Sequence, residues 1–208
     1  VNQLLQVVAD TNKQIQLNLN IGRPVAALED TRDGAVKELS GLIEISSFRR
    51  GDGVLVVQTN EGVQLADENA EQMTFRPGPL AATTYYPASA AGLFVGDPAE
   101  NAITAVDIAD DFPGGKIGGL LKLRDTTLPR QQAQLDELAH KLALRFEAQG
   151  LRLFTDASGS IPLDTPPDPN TLPNPTPVTY VGFASEIRVN ELVLDTPGLL
   201  QSGTYGAT

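Results

Sequence analysis

Two apolar stripes at helical spacing, separated by a three-residue break, restrict this chain more than any other feature of it. Val1, Leu4 and Leu5, Val8, Thr11, Ile15 and Leu19 recur at steps of three and four, which places them on one face of a helix ending before Gly22. Gly22-Arg23-Pro24 follows, with proline where a new helix begins. A second stripe then runs through Val25, Leu28, Arg32, Ala35, Leu39 and Leu42. Because the connection is so short, residues 1–21 and 24–42 are expected as an antiparallel helical pair.

A third stripe lies far along the chain. Leu128, Gln131, Leu135, Leu138, Leu142 and Phe146 keep helical steps, and over residues 128–149 they read as the seam of a helix packing along another helix. Upstream, the glycine cluster from Gly114 to Gly119 precedes a helix carrying Ile117, Leu120, Leu121 and Arg124. Pro129 predicts a break near Thr126 and Thr127, with Thr127 the candidate N-cap.

Between these helices the period changes to two. Ile43 to Ser46 alternates, Arg50-Gly51-Asp52-Gly53 is turn chemistry, and Val54 to Thr59 is rich in β-branched residues, so residues 43–65 read as a hairpin extended by a short third strand. Further short extended pieces are expected at 73–76, 83–86, 93–95 and 103–108. Seven of the chain's 15 prolines fall between Pro162 and Pro177, which predicts an extended connection. After it, 180–184 and 187–190 read as extended, and 203–208 as a frayed end. The expected class is therefore α+β. Residues 1–42 and 116–150 form an antiparallel long-helix bundle, 43–115 a small β and loop-rich part, and 151–208 a proline-rich connection with carboxyl-terminal strands.

The chemistry available is narrow. With no cysteine and a single histidine, disulfide frameworks, thiolate metal sites and multi-histidine zinc clusters are excluded. Aromatics are 5% of the chain, so the core must be aliphatic. The net charge of −11 argues against general affinity for nucleic acid or anionic membrane. That charge is uneven, for Lys116 to Arg152 holds seven basic residues against four acidic ones and is net positive. The glycine cluster fits neither phosphate-binding spacing and reads instead as close helix approach. Asp107, Asp110, Asp111 and the Asp156-Ala157-Ser158-Gly159 run lack a calcium-loop ligand pattern and read as solvated turns. His140 reads as an exposed or interfacial polar residue. No catalytic, metal-binding or cofactor-binding residue is expected. Arg32 and Arg124 are more telling. Each sits on an apolar stripe, where a guanidinium needs a carboxylate or open carbonyls. Both are expected to hold neighbouring elements in register, with Glu29 or Asp30 a possible local partner.

Three stretches resemble the family of flagellar hook-associated protein 1, the hook-filament junction protein of bacterial flagella. The first helix is similar to the family's helix before its Leu-Leu-Asp-Gln-Arg-Asp motif, which here reads Ala27-Leu28-Glu29-Asp30-Thr31-Arg32-Asp33. The hairpin of residues 43–65 resembles the strand pair that follows. Lys116-Ile117-Gly118-Gly119-Leu120-Leu121-Lys122-Leu123-Arg124-Asp125, with the long helix after it, resembles the family's Gly-Gly-Leu-Leu-x-x-Arg-Asp segment. The resemblance implies a non-enzymatic structural subunit, exported without a cleavable signal peptide through the flagellar type III channel. It also implies ring assembly between hook and filament, with copies of itself and other axial proteins as partners. Asp30, Arg32, Asp33, Gly118, Gly119, Arg124 and Asp125 would be its structural motif residues. Leu28, Leu39, Leu128, Leu135, Leu138, Leu142 and Phe146 would pack the helices. The chain is expected to be the central piece of a longer protein, monomeric without that protein's terminal helices. Two other readings stand beside this one. An acidic ligand- or carbohydrate-binding module would use a carboxylate pocket around Asp97 to Asp111. A helical partner-binding adaptor would need an exposed apolar stripe on the 128–149 helix.

Overall fold

The computed structural model describes residues 1–78, 81, 92–109, 114–163 and 180–205. The expected extended piece at 83–86, Asp110 and Asp111, most of the proline-rich connection, and residues 206–208 lie outside them. The described residues form an α+β structure of two compact units, one comprising 1–78, 92–109 and 114–125, the other 81, 126–163 and 180–205.

In the first unit, α1 (Asn2–Asn20) and α2 (Ala26–Leu42) are joined through Gly22, whose φ of 66° turns the chain. Leu5, Val8 and Ile15 of α1 and Ala35 and Leu39 of α2 are buried. The hairpin follows as β1 (Ser46–Arg49), β2 (Leu55–Gln58) and β3 (Gln64–Ala66), an antiparallel sheet with β2 central. Ser46 faces Gln58 and Arg49 faces Leu55, and the register shifts between Val57 and Gln58. A second antiparallel sheet contains β4 (Met73–Phe75), β5 (Leu93–Val95) and β6 (Val106–Asp107), with β5 central. One aliphatic core joins these layers through Leu5, Leu39, Ile43, Val57, Leu65 and Ile108. Only 106–107 of the expected 103–108 piece is strand. Asn101 instead accepts a hydrogen bond from the Ile103 amide in a turn, leaving Ile103 exposed.

Gly114 and Gly115 open α3 (Gly115–Lys122), and here close backbone approach is real. Gly115 has φ 69°, and a Cβ on it would lie 2.7 Å from the Leu42 carbonyl oxygen and 2.8 Å from Ile43 Cα. A π turn, Leu123–Thr127, comes next and leads into α4 (Leu128–Ala148). Pro129 has no N–H to donate and its ring crowds the preceding turn, and a widened turn is one way a helix absorbs this. Thr127 makes no side-chain cap because its backbone is already helical as it leaves the π turn.

The second unit holds α4, β7 (Phe154–Thr155), α5 (Phe183–Glu186), β8 (Arg188–Val189), α6 (Glu191–Asp195) and α7 (Leu199–Ser202), with β7 antiparallel to β8. Of the expected bundle residues 116–150, the contacts group α3 with α1 and α2, and α4 with the carboxyl-terminal elements. Three expectations are corrected here. Residues 180–184 are not extended: Gly182, at φ 88°, turns the chain into α5. His140 is fully buried. The seam of Leu128, Leu135, Leu138 and Leu142 is exposed, because α4 turns Asp136, His140 and Ala143 inward instead. Phe146, half-buried, meets Phe154 edge-on with ring centroids 5.4 Å apart.

Gly115→Ala is expected to lower stability by about 2 kcal/mol or more, since both φ and the facing backbone resist a Cβ. Gly119→Ala, in a helix and facing open space, should raise it by about 0.5–1 kcal/mol. Denaturant unfolding midpoints of the two variants, compared with the parent chain, check both signs.

Candidate functional site

Among the described residues, Arg32 is the largest side chain fully removed from solvent. It stands where α2 crosses α1, in line with Ala35 and Leu39. Its Nη1 donates to Asn12 Oδ1 and to the Gly53 carbonyl oxygen, both at 2.9 Å. Nε and Nη2 have no hydrogen-bond partner among the described residues. The nearest carboxylates, Asp33 to Nε and Glu29 to Nη2, stand at 3.9 Å. Burial lowers the pKa of the guanidinium, as does nearby Arg49, while Asp33 and Glu29 act the other way. Arg32 thus bonds an amide of α1 and a carbonyl of the turn before β2 rather than a close carboxylate.

Asn12 completes the arrangement. Its Nδ2 donates to the carbonyls of Leu55 (2.8 Å) and Asp67 (2.7 Å), while Oδ1 accepts from Arg32 and from the Leu55 amide (3.0 Å). Two donors and two acceptor sites are therefore all used, which is the full capacity of the side chain. Through these bonds α1 and α2 are tied to β2 and to the turn after β3. Gly53 makes the approach possible: at φ 88°, a Cβ there would stand 2.5 Å from Leu19 Cδ1. Sequence reading missed Asn12, although Val8, Asn12, Ile15 and Leu19 also keep steps of four and three. An asparagine among those apolar residues was the available signal.

Charged pairs cover this node on the outside. Arg49 bonds Glu29 at 2.7 Å, and Arg50 binds both Asp52 and Glu68. Hydrogen bonds donated by Arg50 hold the Asp52 carboxyl below its ordinary 3.8, and donating to Asp52 and Glu68 raises the pKa of Arg50.

In the second unit a carboxylate plays the matching part. Buried Asp136 accepts from the Gly182 amide (2.8 Å), the Ala184 amide (2.9 Å) and Gln132 Nε2 (2.9 Å). It thereby satisfies open N–H groups at the start of α5, where negative charge is favoured. One turn along, His140 Nε2 bonds the Pro162 carbonyl at 2.7 Å. Because that carbonyl can only accept, Nε2 carries the proton. The imidazole stacks on Tyr180 (centroids 4.5 Å) and meets Phe183 edge-on.

Arg124 and Asp125 form a two-point pair, Nε to Oδ1 at 2.6 Å and Nη2 to Oδ2 at 2.8 Å. Neighbours on an α-helix point about 100° apart and do not face each other. The π turn wraps more residues per turn, and the long Arg124 side chain folds back within it. Asp30 is exposed, Gly118 buried and Gly119 exposed, while Leu39 is buried and Leu28 partly so. Asp97 binds Arg76 at 2.9 Å and the Ala99 amide, and Asp107 accepts from the Ala109 amide. A cavity of about 550 Å³ in the second unit is lined by Glu147, Arg152, Asp156, Arg188, Glu191 and Asp195 among others. Glu147 there is paired with Arg152, and Asp156 accepts three bonds from Ser158 and Ser160.

Asn12→Ala is expected to cost about 3 kcal/mol or more, because it leaves two carbonyls, an amide and a guanidinium N–H without their partner. Urea unfolding measures it. Acid sensitivity is a separate expectation. Asp52 is depressed when folded, so its contribution is full above 3.8 and is lost as pH falls through the lower folded value. Asp52→Asn should flatten that part of the stability curve in thermal unfolding followed against pH.

Comparison with known proteins places these features in a lineage. The model of the flagellar hook-associated protein FlgK helical domain matches residues 1–160. Among solved structures, the flagellar hook junction protein FlgK from Burkholderia pseudomallei is similar, at 26% identity and a TM-score of 0.49, over 77% of this chain and 29% of that one. The chain thus spans less than a third of that protein's length. No curated protein sequence matches. With 160 of 208 residues matched by the family model, the chain belongs to the flagellar hook-associated protein FlgK helical-domain family.

Proposed function

We propose that this chain is a non-enzymatic structural segment of a hook-filament junction subunit, exported by the flagellar type III route and working as one member of a ring of subunits. The family match over residues 1–160 carries the reading. The interior of the first unit supports it. A subunit that passes load between neighbours needs elements that do not slide, and directional hydrogen bonds resist sliding more than an aliphatic interface does. Arg32 and Asn12 supply such bonds between two helices and a sheet. Partners in this reading are copies of the same protein and other axial proteins, met through surface charge and loops.

Deleting the segment that encodes residues 1–160 from the parent gene, in frame, is expected to leave hooks that carry no filament. Electron microscopy of the mutant cells scores this. Filaments attached at normal frequency would refute the junction role.

A further inference from the structure

One side of the Arg32 guanidinium is served and the other is not. Nη1 has Asn12 and Gly53, whereas Nε and Nη2, equally buried, have no hydrogen-bond partner among the described residues. A donor shut away from water without an acceptor lowers the folding equilibrium constant by about fivefold or more. Nε and Nη2 form the edge of the guanidinium that suits a carboxylate. Two carboxylates stand beside it, Asp33 at 3.9 Å from Nε and Glu29 at 3.9 Å from Nη2. They are not equivalent. Asp33 follows Arg32 directly, so the two side chains leave the helix about 100° apart. Glu29 lies three residues back, on the same face, and has the longer side chain. To reach bonding distance of Nη2, its Oε1 has to move only about 1 Å.

What keeps that oxygen out is Arg49. The same Glu29 Oε1 accepts from Arg49 Nη1 at 2.7 Å. Arg49 ends β1, an edge strand, and its side chain is 51% exposed, while that of Glu29 is 30% exposed. An ion pair so open to water contributes little, about a fivefold factor in the folding equilibrium constant or less. Burial first, and then the charge of Arg49, lower the pKa of Arg32. Arg49 therefore acts against the buried cation twice, by its own charge and by holding the carboxylate away.

We infer that Glu29 is a two-position carboxylate: engaged by Arg49 it stands at the surface, and with Arg49 drawn away it closes on Nη2 of Arg32 and tightens the junction of α1, α2 and β2. The device is worked from outside, because Arg49 meets solvent and Arg32 does not. It stands on the geometry of the first unit and requires no assembly of subunits. Its sign is the reverse of the ordinary one, for removing a partner from an ion pair here strengthens the fold.

The test is Arg49→Met, made in the 208-residue chain and again together with Glu29→Ala. Urea unfolding is expected to show Arg49→Met alone raising the folding equilibrium constant by about fivefold or more. With Glu29 already replaced, the same substitution should raise it by less than about twofold. Whatever methionine itself does on the strand is common to both backgrounds and cancels in that comparison. Nitrogen-15 NMR of the guanidinium groups gives a second readout. The Nη2 protons of Arg32 should exchange with water more slowly in Arg49→Met than in the parent chain, and no more slowly once Glu29→Ala is added. A gain below about twofold from Arg49→Met alone, or a loss, would overturn the inference. So would a gain of the same size in the Glu29→Ala background, which would make repulsion between the two arginines the whole cause. Unaltered exchange at Arg32 would overturn it as well.

Discussion

A guanidinium taken out of water has to be given acceptors, and in the first unit that demand organises everything around it. Arg32 lies among aliphatic side chains, and its nearest carboxylates stand at 3.9 Å. Acceptors within bonding distance come from the Asn12 amide and the Gly53 carbonyl. Asn12 is then committed in turn, since its remaining capacity goes to Leu55 and Asp67. Gly53 must remain glycine both for its left-handed φ and for the space that Leu19 occupies. The polar node favours one register because there Arg32 Nη1 and all four hydrogen-bonding sites of Asn12 meet their partners together.

The second unit uses the opposite charge for a similar end. Asp136 accepts from two backbone amides on the turn entering α5, a turn made possible by the left-handed Gly182. His140 holds the Pro162 carbonyl and stacks on Tyr180. Backbone groups that would otherwise be buried without partners are thus served by side chains of α4. In both units the long helices supply aliphatic surface, and a few polar side chains on them decide what lies against that surface.

This explains which parts of the fold were legible in the sequence. The paired stripes before residue 43 gave the helix pair, and the change of period at Ile43 gave the hairpin, because periodicity directly encodes local geometry. Arg32 was legible as a buried charge because it interrupts a stripe. Asn12 was passed over even though it interrupts one too, since the stripe was traced through Thr11, and its partners at 55 and 67 are distant in sequence. His140 was misread for a related reason. Its environment comes from Pro162, Tyr180 and Phe183, and nothing local to residues 138–142 announces them. Nor do α-helical angles lead to the Arg124–Asp125 pair, which forms inside the π turn that Pro129 accompanies.

The misassigned seam on α4 separates two questions that periodicity merges. An apolar stripe shows that a helix has a face to bury, and it does not show that this chain buries it. On α4 the apolar stripe and the buried face are different faces, and the buried one carries a carboxylate and an imidazole. Hydrogen bonding outranks apolar area there: moving Asp136 and His140 to the surface would expose amides and a carbonyl that need partners inside, whereas leaving four leucines in water costs only their partial exposure. A helix fixed by polar bonds on one face can hold an apolar strip on another without collapsing onto it. That division leaves α4 with its polar groups inside and its leucines in water, each face settled by a different interaction.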